Sequence, residues 1–517
     1  MQAFKSTLVA LGVMAAFASS QALAQVSVRV DTAKPGAVIN KNVYGQFAEH
    51  LGTGIYEGLW VGPDSRIPNT RGWRNDVVGA LKALHVPLVR WPGGCFADEY
   101  HWKDGIGPRN KRPVSVNTNW GGVPETNAVG THEFFDLAEM LGADAYVNGN
   151  LGTGTPQEMA EWVEYMTSTG QSTLAQLRAR NGHPQPFKVA YFAIGNEAWG
   201  CGGNMKPEYY TSLYNHYTTF LKAPKERMPK LIASGGTGDD TAWTDVLSRD
   251  AGRVTDGISF HYYTLPTGEW DKKGAAVGFP ESEWFSTVQR TLRMEDFIRK
   301  NVAVLDKNDP KKKIGFYVDE WGTWYDVEQG TNPGFLFQRN TLRDAVVAAL
   351  NFNIFHAHAE RVRMTNIAQM VNVLQAMIIT DKNRMLLTPT YYAYQMYIPF
   401  QDATSLPVTL ANNTTYGANG QGVPGISASA ARAKDGKVYV ALVNTNPREA
   451  TDVTLDVAGQ AAGTVRGQVL TADAMDAHNT FQNPQAIKPA PFSASASGGK
   501  LTVKVPAKAV MVLAVEG

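Results

Sequence analysis

Cysteine is almost absent from this chain: among 517 residues only Cys95 and Cys201 carry a thiol. Two cysteines cannot build a disulfide-rich scaffold or, alone, a metal site, and neither CxxC nor HExxH spacing occurs. The 10 histidines are scattered, so no structural zinc is expected, nor any cofactor. Charge of one sign is equally lacking, with 48 Lys and Arg against 47 Asp and Glu and a formal net charge of +1. That balance argues against a nucleic-acid partner or an anionic surface. Long apolar runs are missing too. No stretch of about twenty uninterrupted apolar residues exists, so the mature chain is expected to have no membrane span.

The N-terminus carries a shorter apolar stretch. Lys5 precedes a run from Leu8 to Ala18, and Ala22-Leu23-Ala24 has the small-x-small cleavage pattern. Residues 1–24 therefore read as a signal peptide with Gln25 as the first mature residue, which implies export to the periplasm or the medium. In an exported protein Cys95 and Cys201 can pair; a bridge and two free thiols are both left open. A homo-oligomer is left open as well.

What the chain does contain is a rhythm. Residues 42–394 alternate strand-like and helix-like runs, with strand candidates at 86–91, 144–150, 189–197, 231–235, 257–263, 314–320 and 360–367. Between them, Thr131 to Leu141 shows helical spacing ended by Gly142, and Thr155-Pro156-Gln157-Glu158 reads as a capping box with proline at the first helical position. About eight strands with no GxGxxG after the first favour an α/β fold of the (β/α)8 TIM-barrel type over a doubly wound sheet. The end of the chain differs. Runs at 438–443, 451–457, 464–470 and 501–505, separated by Gly, Asn and Pro, predict a C-terminal antiparallel β-sandwich domain over 395–517. The alternating residues 26–30, in the segment 25–41, are expected to return and pair with it. The Pro-, Ala- and Ser-rich stretch 489–499 reads as a loop.

Polar residues gather where the barrel strands end. These are Glu49-His50, Arg90 to Cys95, Asn148 to Asn150, Asn196-Glu197, His261-Tyr262-Tyr263, Asp319-Glu320 and Asn366 to Gln369. A merely stable barrel does not need this, because buried polar groups cost free energy unless satisfied. In parallel barrels the C-terminal strand ends form the active face. Two carboxylates delivered there from different strands, here Glu197 and Glu320, are what cleavage of a glycosidic bond requires. The 12 Trp and 20 Tyr add flat faces that suit sugar rings.

The motifs Asn196-Glu197, Asp319-Glu320-Trp321-Gly322, Pro92-Gly93-Gly94 and Asn366-Ile367-Ala368-Gln369 resemble glycoside hydrolase family 51, mostly α-L-arabinofuranosidases. The resemblance runs from about residue 26 to the C-terminus. It implies a retaining exo-enzyme acting on arabinose-containing polysaccharides or oligosaccharides such as arabinan and arabinoxylan, with Glu197 as acid/base and Glu320 as nucleophile. It also implies that Glu49, Asn196, Tyr263 and Gln369 hold the terminal furanose. Where many members have Asn after the Pro-Gly-Gly turn, this chain has Cys95, and sulfur is a poorer hydrogen-bonding group than an amide. His261 is read either as a sugar contact or as a brace for a carboxylate. Rival readings are a β-xylosidase or endo-β-1,4-glucanase of the same family, and a carbohydrate-binding protein without catalysis. The segments 53–75, 265–286 and 323–338, with Trp60, Trp270, Trp284, Trp324 and Tyr325, are expected to shape the cleft, and Trp91, Trp199 and Trp321 are candidate pocket walls.

Overall fold

Eight parallel strands close into a barrel in sequence order. They are β1 (Gly45–Phe47), β2 (Leu88–Trp91), β3 (Asp144–Gly149), β4 (Val189–Ile194), β5 (Lys230–Ala233), β6 (Gly257–Thr264), β7 (Gly315–Thr323) and β8 (Val362–Ala368). The computed structural model describes residues 25–418, 420–458, 463–497 and 500–516. The strands are rich in Val, Ile and Phe because both faces are covered, one by the barrel interior and one by helices. All nine residues of β7 are buried. Pairing of β8 with β1 closes the ring, with Asn366 opposite Gly45.

Local chemistry sets the helix ends. Thr131–Leu141 stops at Gly142, whose φ of 67° is the left-handed conformation that glycine adopts without steric cost. Pro156–Thr167 begins after Thr155, whose hydroxyl accepts from the Glu158 N–H. The expected capping box is not completed, because the Glu158 carboxylate bonds His101 at 2.8 Å.

The helix Leu342–Ala357 is buried along one continuous run from Leu342 to His356. Such a helix must be covered all round. It packs on β7 and reaches the second domain, where Asn353 donates to Ser427 at 3.0 Å and His356 meets Ser429 at 2.9 Å.

That second domain stacks a four-stranded sheet on a six-stranded one over a core of Val, Leu and Met side chains. The strand Val26–Val30 pairs antiparallel with Val408–Ala411 and parallel with Thr451–Val457, so one pair of the sandwich departs from the expected antiparallel pattern. The stretch expected as a loop at 489–499 instead contains the strand Ala490–Ser495, paired with Thr464–Leu470. Phe492 and Ala494 pack against the core, and Pro491 is tolerated because the strand lies at the sheet edge. Among the described residues no helix is long and apolar enough to cross a membrane. The segment read as a signal peptide lies outside the described residues.

Candidate active site

Arg90 organises the C-terminal face of the barrel. It sits in the short apolar strand β2, 1% exposed, with its guanidinium 4.3 Å from the Phe47 ring centre. Its Nη1 donates to the Asp319 carbonyl at 2.8 Å and to Glu320 Oε2 at 2.9 Å, and its Nη2 to Asn196 Oδ1 at 2.6 Å. Burial opposes its charge, but Asp319 and Glu320 outweigh this and hold it protonated.

Glu320 is gripped from three sides. Besides Arg90, the Tyr263 hydroxyl donates to Oε1 at 2.7 Å, and His261 Nδ1 stands 3.5 Å from Oε2. Asp319, its neighbour, accepts from Tyr146 at 2.6 Å and lies 3.3 Å from His261 Nε2. Burial pushes the Asp319 carboxyl up, yet Arg90 and His261 hold it well below the usual carboxylate range. Burial opposes a charge on His261 as well, but Glu320 and Asp319 raise it to about 10. As an imidazolium it donates from both ring nitrogens.

Glu197 follows the Gly195 turn at the end of β4, with φ of 39°, a conformation that costs a non-glycine residue of order 1–3 kcal/mol. Asp98 pins this turn. It accepts the Asn196 N–H at 2.9 Å and the Leu151 and Gly152 N–H groups at 2.8 and 2.9 Å. Burial still lifts the Asp98 carboxyl to about 7. Glu197 Oε1 meets His261 Nδ1 at 2.8 Å, while Oε2 lies 3.5 Å from the Cys201 sulfur. Burial, with the Glu320 charge behind it, raises the Glu197 carboxyl above its ordinary range against the opposing bond from His261. One oxygen of Glu197, one of Glu320 and a His261 nitrogen all lie within 4.8 Å of one another.

Glu49 sits beyond β1. Its Oε1 accepts from the Gly94 and Phe96 N–H groups at 3.0 and 3.2 Å and from the Trp120 indole at 2.9 Å, and its Oε2 from Gln369 at 2.9 Å. Burial and the Glu320 charge raise it to about 7. The Pro-Gly-Gly turn can approach this closely only without side chains: a Cβ on Gly94 would lie 3.0 Å from Glu320 Oε2. Cys95, next in the chain, is bridged to Cys201 with Cα atoms 5.6 Å apart, which ties the loops after β2 and β4 together.

These groups surround a cavity of about 510 Å³. Glu49, Cys95, Glu197, His261, Tyr263, Glu320 and Gln369 all line it. Asn196 does not: it is buried behind the wall, with its Oδ1 occupied by Arg90. Of the aromatic candidates, Trp199, Trp270 and Trp324 reach the cavity. Trp91 and Trp321 point the other way, donating to His50 at 3.0 Å and Thr365 at 3.1 Å. Strand alternation is the reason, since each directly follows an inward-facing residue, Arg90 or Glu320. Trp284 is buried against the sandwich, donating to the Thr445 carbonyl at 2.8 Å. Trp60 lies under the loop after β1, and Tyr325 is buried on Asp344 at 2.8 Å.

Sequence reasoning assigned no role to Arg90, Asp98, Asp319 or Trp120. Arg90 was detectable, because a lone charge inside an apolar strand demands a buried partner. Trp120 lies on an irregular segment with no periodicity to mark it.

A parallel barrel that presents two carboxylates from β4 and β7 across one polar, aromatic-walled cavity defines the glycoside hydrolase class. Comparison with known proteins narrows this. Residues 80–276 match the α-L-arabinofuranosidase 1 domain, and residues 319–509 the α-L-arabinofuranosidase C-terminal domain. An intracellular exo-α-L-arabinofuranosidase from Bacteroides ovatus is 48% identical over 96% of both chains. The crystal structure of the family 51 arabinofuranosidase from Xanthomonas axonopodis pv. citri is 51% identical, covers 95% of this chain and 100% of its own, and superposes with a TM-score of 0.93. The thermostable family 51 α-L-arabinofuranosidase from Thermotoga petrophila is 31% identical over 95% of this chain and 100% of its own, with a TM-score of 0.84. The chain belongs to the α-L-arabinofuranosidases of glycoside hydrolase family 51.

One expectation is overturned by these relatives. Export to the periplasm or medium was read from residues 1–24, but the Bacteroides ovatus enzyme, similar along nearly the whole chain, is intracellular by name. The export reading rested only on a basic residue, an apolar run and an Ala-x-Ala pattern, a composition that does not by itself fix an address.

Proposed function

We propose that this chain is a retaining, exo-acting α-L-arabinofuranosidase that releases terminal arabinofuranose from arabinan, arabinoxylan or their oligosaccharides. The observation that carries the reading is the pair Glu197 and Glu320. Their carboxylate oxygens face each other within 4.8 Å across the cavity. A retaining pair stands about 5–5.5 Å apart, whereas an inverting pair leaves roughly 6.5–9.5 Å for a water.

The environments set the roles. Glu320, bonded to Arg90 and Tyr263, is the ionised nucleophile that attacks the anomeric carbon. Glu197 accepts from His261 through Oε1, which leaves Oε2 to carry a proton into the cavity and give it to the leaving oxygen. Once Glu320 is esterified its charge is gone, and one cause of the raised Glu197 pKa goes with it. Glu197, which has already given its proton to the leaving group, is then more readily held as a carboxylate, the form that takes a proton from the water that releases the sugar. Glu49 and Gln369, already bonded to each other, offer acceptor and amide groups to the sugar hydroxyls. His261 braces both carboxylates, and the bridged Cys95 forms part of the cavity wall.

Turnover of aryl α-L-arabinofuranoside, β-xyloside and β-glucoside tests the reading. Preference for the first is expected, and preference for either other substrate would overturn it. Early-time NMR of the released sugar should show the retained anomer.

A further inference from the structure

We infer that Trp270 is the platform on which the sugar next to the scissile bond, on the leaving-group side, stacks. The inference rests on the arabinofuranosidase reading of the cavity and extends it outward. Trp270 lines the same cavity, yet it is 56% exposed. Lys273 Nζ stands 5.7 Å from its ring centre, and the rest of the indole leaves apolar surface in water that a sugar ring can cover.

Its position follows from a chain of rings that starts at the nucleophile. Tyr263 donates to Glu320 at 2.7 Å. The Tyr263 and Trp324 ring centres are 4.9 Å apart at 78°, and those of Trp324 and Trp270 are 5.2 Å apart at 89°. Trp270 therefore stands two aromatic contacts outward from the group that bonds Glu320. The terminal furanose belongs at the bottom, among Glu49, Glu197 and Gln369. A cavity of about 510 Å³ is in the range that holds a drug-sized ligand, more than a single pentose fills. The remaining space reaches Trp270.

The loop that carries Trp270 is fixed in place. Lys273 Nζ donates to the Trp270 carbonyl at 2.6 Å. The Lys273 and Gly274 N–H groups donate to the Asp326 carboxylate at 3.0 and 3.2 Å, and Arg290 holds the Thr267 carbonyl at 2.8 Å. A residue held this way meets its ligand with little ordering cost. The indole face suits the C–H face of a neutral sugar ring, and no charged group on the ligand is required.

The test compares wild type, W270A and W270F on methyl α-L-arabinofuranoside, which has no second ring, and on an oligosaccharide. The oligosaccharide is whichever of α-1,5-arabinotriose and an arabinosyl xylo-oligosaccharide wild type cleaves faster. The W270A loss in kcat/KM is expected to be roughly tenfold larger on the oligosaccharide than on the methyl glycoside, to enter through KM, and to be largely recovered in W270F. Equal losses on both substrates, or no loss on the oligosaccharide, would overturn the role of Trp270 while leaving the arabinofuranosidase reading intact. A wild-type enzyme inactive on all of these substrates would overturn both.

Discussion

The sandwich core and the C-terminal face of the barrel both bury their side chains, but they are built from opposite materials. In the sandwich, Val440, Leu442, Val503 and Leu513 are fully buried and make no polar demands. At the barrel face the buried groups are Glu49, Arg90, Asp98, His261 and Asp319, none more than 5% exposed. Each buried Leu or Val stabilises the sandwich by about 1.5–3 kcal/mol. Each buried charge costs several kcal/mol unless a partner compensates it. The barrel face therefore has to pair its charges: Arg90 against Glu320, His261 against Glu197 and Asp319, and Glu49 against two backbone amides. Pieces of such a network cannot be removed independently. The first region holds the molecule together; the second holds charges where water would otherwise screen them.

The largest effect expected to sharpen this contrast is on Glu320. Glu320→Ala should lower turnover of an aryl arabinofuranoside by at least about 10⁴-fold, since no covalent intermediate can form. Kinetics on purified, folded variant check this. Glu197→Ala comes next. Without a proton donor, activity on poor leaving groups should fall roughly 10²–10⁴-fold, while activated aryl substrates lose less and azide restores product formation as the glycosyl azide. Equal losses on both substrate types, with no rescue by azide, would mean that the two carboxylates have been given the wrong roles.

Much of this contrast was legible in the sequence, for a simple reason. Period-two alternation such as Val26-Ser27-Val28-Arg29-Val30 and apolar runs such as Val189–Ile194 report burial directly, and burial decides the fold. Polar groups at the ends of those runs then marked one face. What was illegible depends on side-chain direction and on partners far along the chain. Trp91 and Trp321 belong to the right strands but face the helices, and a one-residue step is enough to do that. Asn196 stands beside Glu197 in sequence, yet its amide oxygen turns to Arg90, 106 residues away. Asp98 holds three amides on two other loops, and nothing near it in sequence announces this. The strand at Ala490–Ser495 was hidden by its Pro and Ser content, because an edge strand needs only one side chain in two to be apolar.

A third, smaller effect concerns pH. His261 keeps its proton in the folded state to about 10, against an ordinary value of 6.5. The stabilisation from its charged contacts is therefore complete below pH 6.5 and is lost as pH rises through about 10. Glu49, raised from 4.5 to about 7, acts in the same direction at lower pH, because the folded state again holds the extra proton. The thermal unfolding temperature should fall between pH 6.5 and 10, and His261→Gln should flatten that slope while also slowing turnover. An unchanged slope in the variant would show that His261 is not the group responsible.

The smallest effect on activity should come from the other region. Leu442 is fully buried in the sandwich and touches no group of the site. Leu442→Ala leaves a cavity and should destabilise by about 2–5 kcal/mol. Differential scanning calorimetry should show this as a lower unfolding temperature. Yet kcat/KM at 25 °C should stay within about twofold of wild type, because no partner of Glu197 or Glu320 has moved. The helix Leu342–Ala357 makes this a real test, since it contacts both the sandwich and β7. A large drop in kcat/KM at a temperature where the variant is fully folded would show that strain crosses this helix into the barrel, and the division between a stabilising region and a chemical one would fail.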